Sequence, residues 1–391
     1  MSFFSRLADA RARRRSSATF DSRGRRVVRA IERRIRFLLS SPLGVLLHPR
    51  EVRRPVPLDQ VNRVLILRYD ALGDAVLSSA VWHALKKYAP HIRIGVVGSR
   101  RNRTLLQADP AIDDVFVFSK ALTWHVIPDL FRARRAAKWD MVLNISFHDK
   151  TRAAIYSRIV APHAITVTAV WDHREKYERL YSIVGQRPAN TPIVLQWLAI
   201  LKDAFGLELT QEDTLPTIFA DPGIERSFAP EIDAITNRAG KKEYVIINTD
   251  AAQSFREWGL PHALELSQEI RSRWPELHIF WTSAPLHSGT VQSFLKSNQS
   301  EGIAYLLTPS VHHLLVAIKG ARVVLSPDTS VVHIAAAYRK PTVGLYVEHK
   351  EYPIRGTISR MVFAPDHTTA ASIPVEPVLT ALGEVMQEST R

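Results

Sequence analysis

The fold is decided by residues 64–74, which read Val64-Leu65-Ile66-Leu67 and then Arg68-Tyr69-Asp70-Ala71-Leu72-Gly73-Asp74. The four consecutive apolar residues predict a strand that is buried on both faces, and residues 74–88 have the apolar spacing of a helix. A strand, a short loop and a helix form the first unit of a parallel sheet that is covered by helices. The sequence therefore predicts an α/β protein whose first loop lies at the carboxyl edge of its sheet.

The same alternation of strands and helices continues through the rest of the chain. In the first half we predict strands over residues 92–97, 115–118 and 141–145, and helices over residues 126–137 and 191–205. In the second half we predict strands over residues 244–248, 278–281, 322–325 and 342–345, and helices over residues 261–274, 289–296, 311–318, 329–338 and 375–387. Residues 208–222 are polar and contain two prolines, so we predict that they link the halves. This pattern predicts two doubly wound, Rossmann-like domains that face a central cleft.

The length and composition agree with two folded domains. The chain has 391 residues, of which 46% are apolar and 23% are charged, and this balance is typical of globular proteins. It has no cysteine, which excludes disulfides, thiolate metal sites and a cysteine nucleophile. We predict a basic N-terminal extension over residues 1–60, a first Rossmann-like domain over residues 61–215, and a second one with a C-terminal helix over residues 216–391.

The positive charge is concentrated at the N-terminus. Residues 1–55 contain fifteen arginines, no lysine and four acids, and so carry most of the net charge of +14. Apolar residues recur at helical spacing between positions 28 and 39, with arginines on the other side, which predicts a basic amphipathic helix. Such an arm can bind an anionic membrane surface, bind nucleic acid, or remain solvated. Because no aromatic residues alternate with the arginines, we do not expect nucleic acid as a partner.

The first loop has the composition of an anion-binding turn. Gly73 permits a tight turn, and the free amide groups at the start of the following helix favour an anionic ligand. The loop is neither a dinucleotide fingerprint nor a P-loop, because it lacks G-x-G-x-x-G and Gly-Lys-Ser/Thr. Asp74 could cap the helix or act as a general base, and Asp70 could serve as a second carboxylate.

Two segments in the second half also follow predicted strands and precede predicted helices. The first runs from Asn248 to Trp258 and contains Arg256, which could hold a diphosphate or pair with Glu257. The second begins with Asp328 and Thr329, which could cap a helix or contact a phosphate or a sugar hydroxyl. His333 follows within that helix and could be a ligand or a packed side chain. No H-E-x-x-H or similar metal spacing occurs in the sequence.

Together these segments resemble glycosyltransferase family 9, the heptosyltransferases of lipopolysaccharide core assembly. The resemblance rests on residues 68–74, on residues 256–258, and on Asp328-Thr329 with His333, Ala335 to Ala337 and Lys340-Pro341-Thr342, and it covers about residues 61–385. It implies a GT-B fold in which the first half binds the acceptor and the second half binds a nucleotide sugar, usually ADP-heptose. It also implies transfer with inversion and without a metal or other cofactor.

The resemblance carries over to individual residues. It implies that Asp74 is the catalytic base, that Arg256 contacts the diphosphate, and that Asp328 and Thr329 belong to the donor loop. Beside these we predict that Arg68, Asp70 and Gly73 form the acceptor or phosphate loop, and that Asn248, Ser254, Ser330 and His333 also bind the donor. Ser330 stands where the family commonly has Gly, and Arg256 stands where it commonly has Lys. Two alternatives are a transferase with another donor and a nucleotide-sugar-binding protein without activity. We expect a peripheral enzyme on the cytoplasmic face of the inner membrane, with lipopolysaccharide core or another envelope glycolipid as its acceptor.

Overall fold

Each half of the chain forms one parallel six-stranded sheet. A computed structural model describes residues 49–118, 127–146, 150–170, 174–187, 191–298, 302–348, 354 and 356–389. The amphipathic helix that we predict in the N-terminal extension lies outside these residues. Within the described ranges, none of the helices combines the length and the apolarity needed to cross a bilayer.

The first sheet has the strand order β3-β2-β1-β4-β5-β6. Its strands are β1 (Arg63–Leu67), β2 (Arg93–Gly98), β3 (Asp114–Val117), β4 (Met141–Asn144), β5 (Ile165–Val170) and β6 (Ile183–Gln186). Its helices are α1 (Leu72–Tyr88), α2 (Arg103–Gln107), α3 (Ile127–Ala136), α4 (Lys150–Val160), α5 (Arg174–Tyr177) and α6 (Ile193–Phe205). The order reverses between β1 and β4, and the loop 68–71 begins at that point.

The second sheet repeats this topology, with the strand order β12-β11-β10-β7-β8-β9. Its strands are β7 (Glu243–Asn248), β8 (Leu277–Thr282), β9 (Ile303–Tyr305), β10 (Val323–Pro327), β11 (Thr342–Tyr346) and β12 (Ser359–Phe363). Its helices are α7 (Pro222–Arg238), α8 (Leu260–Arg273), α9 (Ser288–Ser297), α10 (Val311–Gly320), α11 (Ser330–Ala337) and α12 (Val375–Glu388). Here the order reverses between β7 and β10, and the loops that begin at Asn248 and Asp328 follow these two strands.

Both faces of each sheet are buried, as the continuous apolar strands predict. In β1, Val64 and Ile66 pack into a cluster with α1 and α6, whereas Leu65 and Leu67 pack into a cluster on the opposite face. This alternation follows from the two-residue period of a strand. Each half therefore has its own core, and the loops at the carboxyl edges rest on rigid strands.

The two halves are also joined by an apolar cluster that contains residues from both. Ala75 and Val76 of α1 belong to the same buried cluster as Val331 and Ile334 of α11. Residues 206–221 connect α6 to α7, and they include a short turn at 212–214 that packs on α1. These contacts place the amino end of α1 beside the amino end of α11.

The described part of the N-terminal extension is partly packed on the first half. Val56 is buried in the first core, and its backbone N–H donates to the Ala204 carbonyl at 2.8 Å. Val56 therefore packs with the first half, within the range that we assign to the extension.

Candidate active site

The loop after β1 is organised around a fully buried arginine. The Arg68 Nη1 donates to Asp70 Oδ2 at 2.9 Å and to the Ile145 carbonyl at 2.8 Å. Its Nη2 lies 3.3 Å from Asp74 Oδ1, and its Nε donates to the Asp74 carbonyl at 3.3 Å. The guanidinium also stacks on the Trp197 ring at 4.1 Å. Because Arg68 is buried, it acts on the two carboxylates rather than on the surface of the cleft.

Asp74 is the more accessible of these two carboxylates. It is the third residue of α1, where its Oδ2 accepts the Ala71 N–H at 3.2 Å, and its side chain is 24% exposed. The side chain of Asp70 is only 8% exposed. A hydroxyl group that enters the cleft can therefore reach Asp74 more readily than Asp70.

Two further cations lie buried below this loop, and sequence patterns did not reveal them. Lys150 Nζ donates to the Ser146 carbonyl at 2.7 Å, and Arg187 Nη2 donates to the same carbonyl at 3.3 Å. Burial lowers the pKa of Lys150 well below its usual value, and the charges of Arg187 and Arg68 lower it further. The lowered pKa favours the neutral amine of Lys150, so the positive charge below the loop rests mainly on Arg68 and Arg187.

Because Gly73 has no side chain, the first loop lies in close contact with the second half. A Cβ added at Gly73 would lie 3.1 Å from His333 Cδ2, 3.4 Å from Ser330 Cα and 3.6 Å from Ser330 Cβ. Only a residue without a side chain fits this approach without displacing its neighbours. Residues from two motifs that lie far apart in the sequence therefore meet across the cleft.

A hydrogen-bonded group at the carboxyl edge of the second sheet fixes the start of α11. Asn248 Nδ2 donates to Ser326 Oγ at 3.0 Å and to Thr329 Oγ1 at 3.3 Å. Thr329 Oγ1 in turn accepts the Val331 N–H at 3.2 Å and caps α11. The amino end of α11 is the positive end of the helix, so this group presents partial positive charge to the cleft.

Arg256 stands beside this helix end. Its Nη1 lies 3.5 Å from Asp328 Oδ2 and donates to the Asp328 carbonyl at 3.3 Å. Its Nε is buried and has no hydrogen-bond partner among the described residues, so the guanidinium keeps donor capacity for an anion. Ser254 lies in the same turn, where it is exposed to solvent.

The structure also shows a pair that the sequence did not single out. His287 Nδ1 lies 2.7 Å from Asp250 Oδ1, and the Ala284 N–H donates to Asp250 Oδ2 at 3.0 Å. This pair joins the loop after β7 to the loop after β8. Asp250 is visible in the sequence segment that follows β7, but its partner lies 37 residues away and has no motif of its own.

The arrangement has the groups needed for displacement of an anionic leaving group. Asp74 supplies a carboxylate on one side, while Arg256 and the start of α11 supply positive charge on the other. Among the described residues there is no group of three or more His, Asp or Glu side chains that could hold a metal ion. This combination suits the transfer of a group from a diphosphate to a hydroxyl.

The sequence of the chain is similar to a known family and to known proteins. The sequence profile of glycosyltransferase family 9 (heptosyltransferase) matches residues 127–365, which is more than half of the chain. An Escherichia coli protein provisionally named lipopolysaccharide heptosyltransferase 4 is 28% identical over 329 residues, which cover 82% of this chain and 83% of that protein.

Two solved structures have a similar fold. The family 9 glycosyl transferase from Veillonella parvula matches with a TM-score of 0.72 at 16% identity, over 86% of this chain and 100% of that one. Escherichia coli heptosyltransferase WaaC with ADP-2-deoxy-2-fluoro heptose matches with a TM-score of 0.64 at 17% identity, over 84% of this chain and 99% of that one. The predicted GT-B fold is thereby confirmed.

Proposed function

This chain belongs to glycosyltransferase family 9, the heptosyltransferase family, and from that membership we propose that it transfers heptose from ADP-heptose to lipopolysaccharide core. The chain is a glycosyltransferase, as its motifs predict. The donor, the inverting course of the reaction and its place at the membrane belong to the proposal. The observation that supports it best is the meeting of Gly73 with Ser330 and His333, because it joins the proposed base to the proposed donor loop.

The donor assignment draws on a relative and on the second-half site. The WaaC structure contains an ADP-heptose analogue and shares the fold of this chain. In this chain, Arg256 and the amino end of α11 are placed to hold the diphosphate, and Asn248 keeps Thr329 in position. We therefore assign the nucleotide sugar to the second half.

The proposed reaction is a single displacement at the anomeric carbon. Asp74 takes the proton from the acceptor hydroxyl, whose oxygen then forms a bond to that carbon. The bond from the carbon to the diphosphate oxygen breaks, and ADP leaves with its negative charge stabilised by Arg256 and the amides of α11. One displacement inverts the configuration at the anomeric carbon, and these charges serve in place of a metal ion.

The proposed acceptor is a phosphorylated glycolipid on the cytoplasmic face of the inner membrane. The arginines of the N-terminal extension give the chain a strongly basic end, which is attracted to anionic lipid. The rest of the chain is close to neutral, so it has no comparable excess of positive charge. The extension would hold the cleft near its lipid-linked acceptor.

Calorimetric titration of the purified chain with ADP-heptose, ADP, UDP-sugars and GDP-sugars tests the donor. We expect selective binding of ADP-heptose, which Arg256→Gln should weaken about tenfold or more because a charge-assisted contact is lost. Arg226→Gln on the exposed surface of α7 is the matched control and should leave the affinity unchanged.

The possible outcomes separate the alternatives. Selective binding of a different nucleotide sugar would replace ADP-heptose as the proposed donor, and the chain would still be a transferase. If ADP-heptose binds but no sugar reaches purified core acceptors, the chain is a binding protein without transfer activity. Failure to bind any nucleotide sugar would contradict the proposal that the second half binds the donor.

A further inference from the structure

The amino edge of the second sheet carries a pocket that the proposed reaction does not use. It has a volume of about 620 Å³ and is lined by residues that come directly before β7, β10, β11 and β12, with the carboxyl ends of α10, α11 and α12 beside them. Because all six strands run parallel, the pocket lies at the opposite edge of the sheet from Asn248 and Asp328. A ligand bound there would not compete with the nucleotide sugar.

Positive charge dominates the lining of this pocket. Lys242, Arg322, Arg339 and Lys340 contribute four cations, and Glu243 is the one acid among the described lining residues. Glu243 is half exposed, and its Oε1 lies 3.9 Å from Arg322 Nε. An exposed pair at this distance is weak, so it neutralises little of the charge.

The helix that precedes Arg339 accounts for the position of its side chain. Its backbone has a φ of +58°, directly after the end of α11. Its Nη1 donates to the carbonyls of Ala336 at 3.0 Å and Ala337 at 3.4 Å. A cation on the last carbonyls of a helix stabilises the negative helix end. Arg339 therefore needs no ligand to account for its position.

Lys340 and Lys242 have no comparable structural role. In the part of the chain that the structure describes, neither ammonium group has a hydrogen-bond or ion-pair partner. Lys340 is half buried, and both this burial and the charge of Arg322 lower its pKa. Lys242 is exposed and Lys340 is half buried, and both line a pocket that has one acid among its described lining residues, so binding of an anion there would reduce the repulsion among its cations.

We propose that this pocket binds a phosphate-bearing anion through Lys242 and Lys340. Two ammonium groups form charge-assisted hydrogen bonds with phosphate oxygens, and the charge of Arg322 adds attraction. The pocket is large enough for a phosphate or diphosphate group together with part of the molecule that carries it. The phosphate group belongs either to a soluble compound or to a lipid headgroup.

Calorimetric titration with pyrophosphate at fixed ionic strength tests the site. The full chain with Arg256→Gln is used, because this substitution weakens the donor site and leaves the pocket intact. Adding Lys340→Gln and Lys242→Gln should weaken pyrophosphate binding about tenfold or more. Adding Lys202→Gln and Lys296→Gln, which remove the same charge from α6 and α9, should have no effect.

The thermal unfolding midpoint shows whether the pocket variant is folded, and it should match that of the control. Equal pyrophosphate affinity in the two variants, or no binding to the Arg256→Gln chain, would overturn the proposal. This result does not depend on the identity of the sugar donor, so a failure here is distinct from a failure of the proposed function.

Co-sedimentation with phosphatidylglycerol vesicles distinguishes the two sources of phosphate. If the natural ligand is a lipid headgroup, the pocket variant should co-sediment less than the control variant, with phosphatidylcholine vesicles as the uncharged reference. If it is a soluble compound, the two variants should co-sediment equally while their pyrophosphate affinities still differ.

Discussion

Arg68 fixes the geometry of the first loop from beneath it. Its planar guanidinium contacts both carboxylates of the loop and stacks on Trp197, so several donors are used in different directions at once. A lysine carries the same charge, but as a single ammonium group that cannot reproduce this planar set of contacts. We therefore expect Arg68 to act as a positioning residue, through Asp74.

Replacing Asp74 by Asn removes the proposed proton acceptor and keeps the shape of the side chain. We expect the turnover number to fall by about 10²- to 10⁴-fold, because general-base catalysis is lost. The affinity for ADP-heptose should stay unchanged, since Asp74 lies in the first half. Steady-state kinetics and calorimetry check both values, with Asp59→Asn on the surface as the control. Unchanged turnover would remove Asp74 from the mechanism.

A double-mutant cycle tests whether Arg68 acts through Asp74. Arg68→Lys alone should lower the turnover number about tenfold or more, because the carboxylate loses its fixed direction. Arg68→Lys combined with Asp74→Asn should be no slower than Asp74→Asn alone, since residues that act as a unit are not additive. Arg93→Lys on an exposed ion pair is the control. Additive losses would mean that Arg68 has a separate role.

The site residues that sequence could predict are those whose neighbours are close in the chain. Arg68, Asp70 and Asp74 lie in one loop, so their proximity follows from the strand and helix that flank them. Trp197 is far away in the sequence and is buried in the first core, and its ring also lies on the Arg68 guanidinium. Contacts of this kind depend on how helices pack on the sheet, and no local pattern encodes them.

At the scale of elements, the contact between α1 and α11 should be sensitive to the size of residue 73. Gly73→Ala places a methyl group 3.1 Å from His333 Cδ2 and 3.4 Å from Ser330 Cα, so we expect the His333 ring or the end of α11 to shift by a few tenths of an ångström. We expect kcat/KM to fall about tenfold or more, because a small displacement of reacting groups is costly.

Gly289→Ala is the matched control for this substitution. Gly289 also lies near the start of a helix, but an added Cβ would meet nothing within 4 Å there. It should leave kcat/KM unchanged and keep or slightly raise stability. Equal kinetics for the two variants would contradict the role of the close approach.

The turn between the halves should respond to acid through Asp213. Burial opposes ionisation of this carboxyl, but hydrogen bonds from Lys87, Thr210 and Tyr88 outweigh it and lower its pKa to about 2. In the unfolded chain the pKa is about 3.9. The ionised form therefore stabilises the fold above about pH 4, and this contribution is lost as the pH falls towards 2.

Asp213→Asn should lower the free energy of unfolding by about 1 to 2 kcal/mol at pH 7, since Lys87 is half exposed and the pair is partly screened. The difference from the natural chain should shrink between about pH 5 and pH 2. Urea unfolding over that range measures it, and Glu212→Gln in the same turn is the control. A difference that does not change with pH would show that charge is not the cause.

The strands that sequence predicts are those with continuous apolar runs, such as β1, β7 and β10. Strands β5, β6, β9 and β12 were not predicted: threonines interrupt the apolar run of β5, β6 has only four residues, and β9 and β12 are half exposed at the edges of the second sheet. Helix α7 was missed because Pro230 interrupts its pattern. Edge strands and interrupted helices are fixed by their neighbours, so their own sequences carry a weak signal.

At the scale of the whole molecule, most of the net positive charge lies in the N-terminal extension and little of it in the two halves. Residues 1–48 contain twelve arginines and three acids. Removing them should abolish co-sedimentation with phosphatidylglycerol vesicles at moderate salt, because the electrostatic attraction is lost. Affinity for ADP-heptose should be retained, since the donor loops lie in the second half. Residues from Val56 onward must be kept, because they belong to the first core.

Vesicle binding that survives this truncation would contradict a role for the extension in membrane attachment. Uncharged phosphatidylcholine vesicles are the control for non-specific association. The thermal unfolding midpoint of the truncated chain should equal that of the full chain.

The close approach at Gly73 also bears on how the enzyme avoids wasting its donor. An activated sugar can react with water as well as with the acceptor, and the two reactions differ only in which oxygen reaches the anomeric carbon. Where Gly73 meets Ser330 and His333, an added Cβ would lie 3.1 Å from His333 Cδ2, so the two helix ends approach each other with no side chain of residue 73 between them. For the proposed reaction, we therefore expect a bulkier residue at position 73 to leave more room for water beside the sugar donor and to raise hydrolysis relative to transfer.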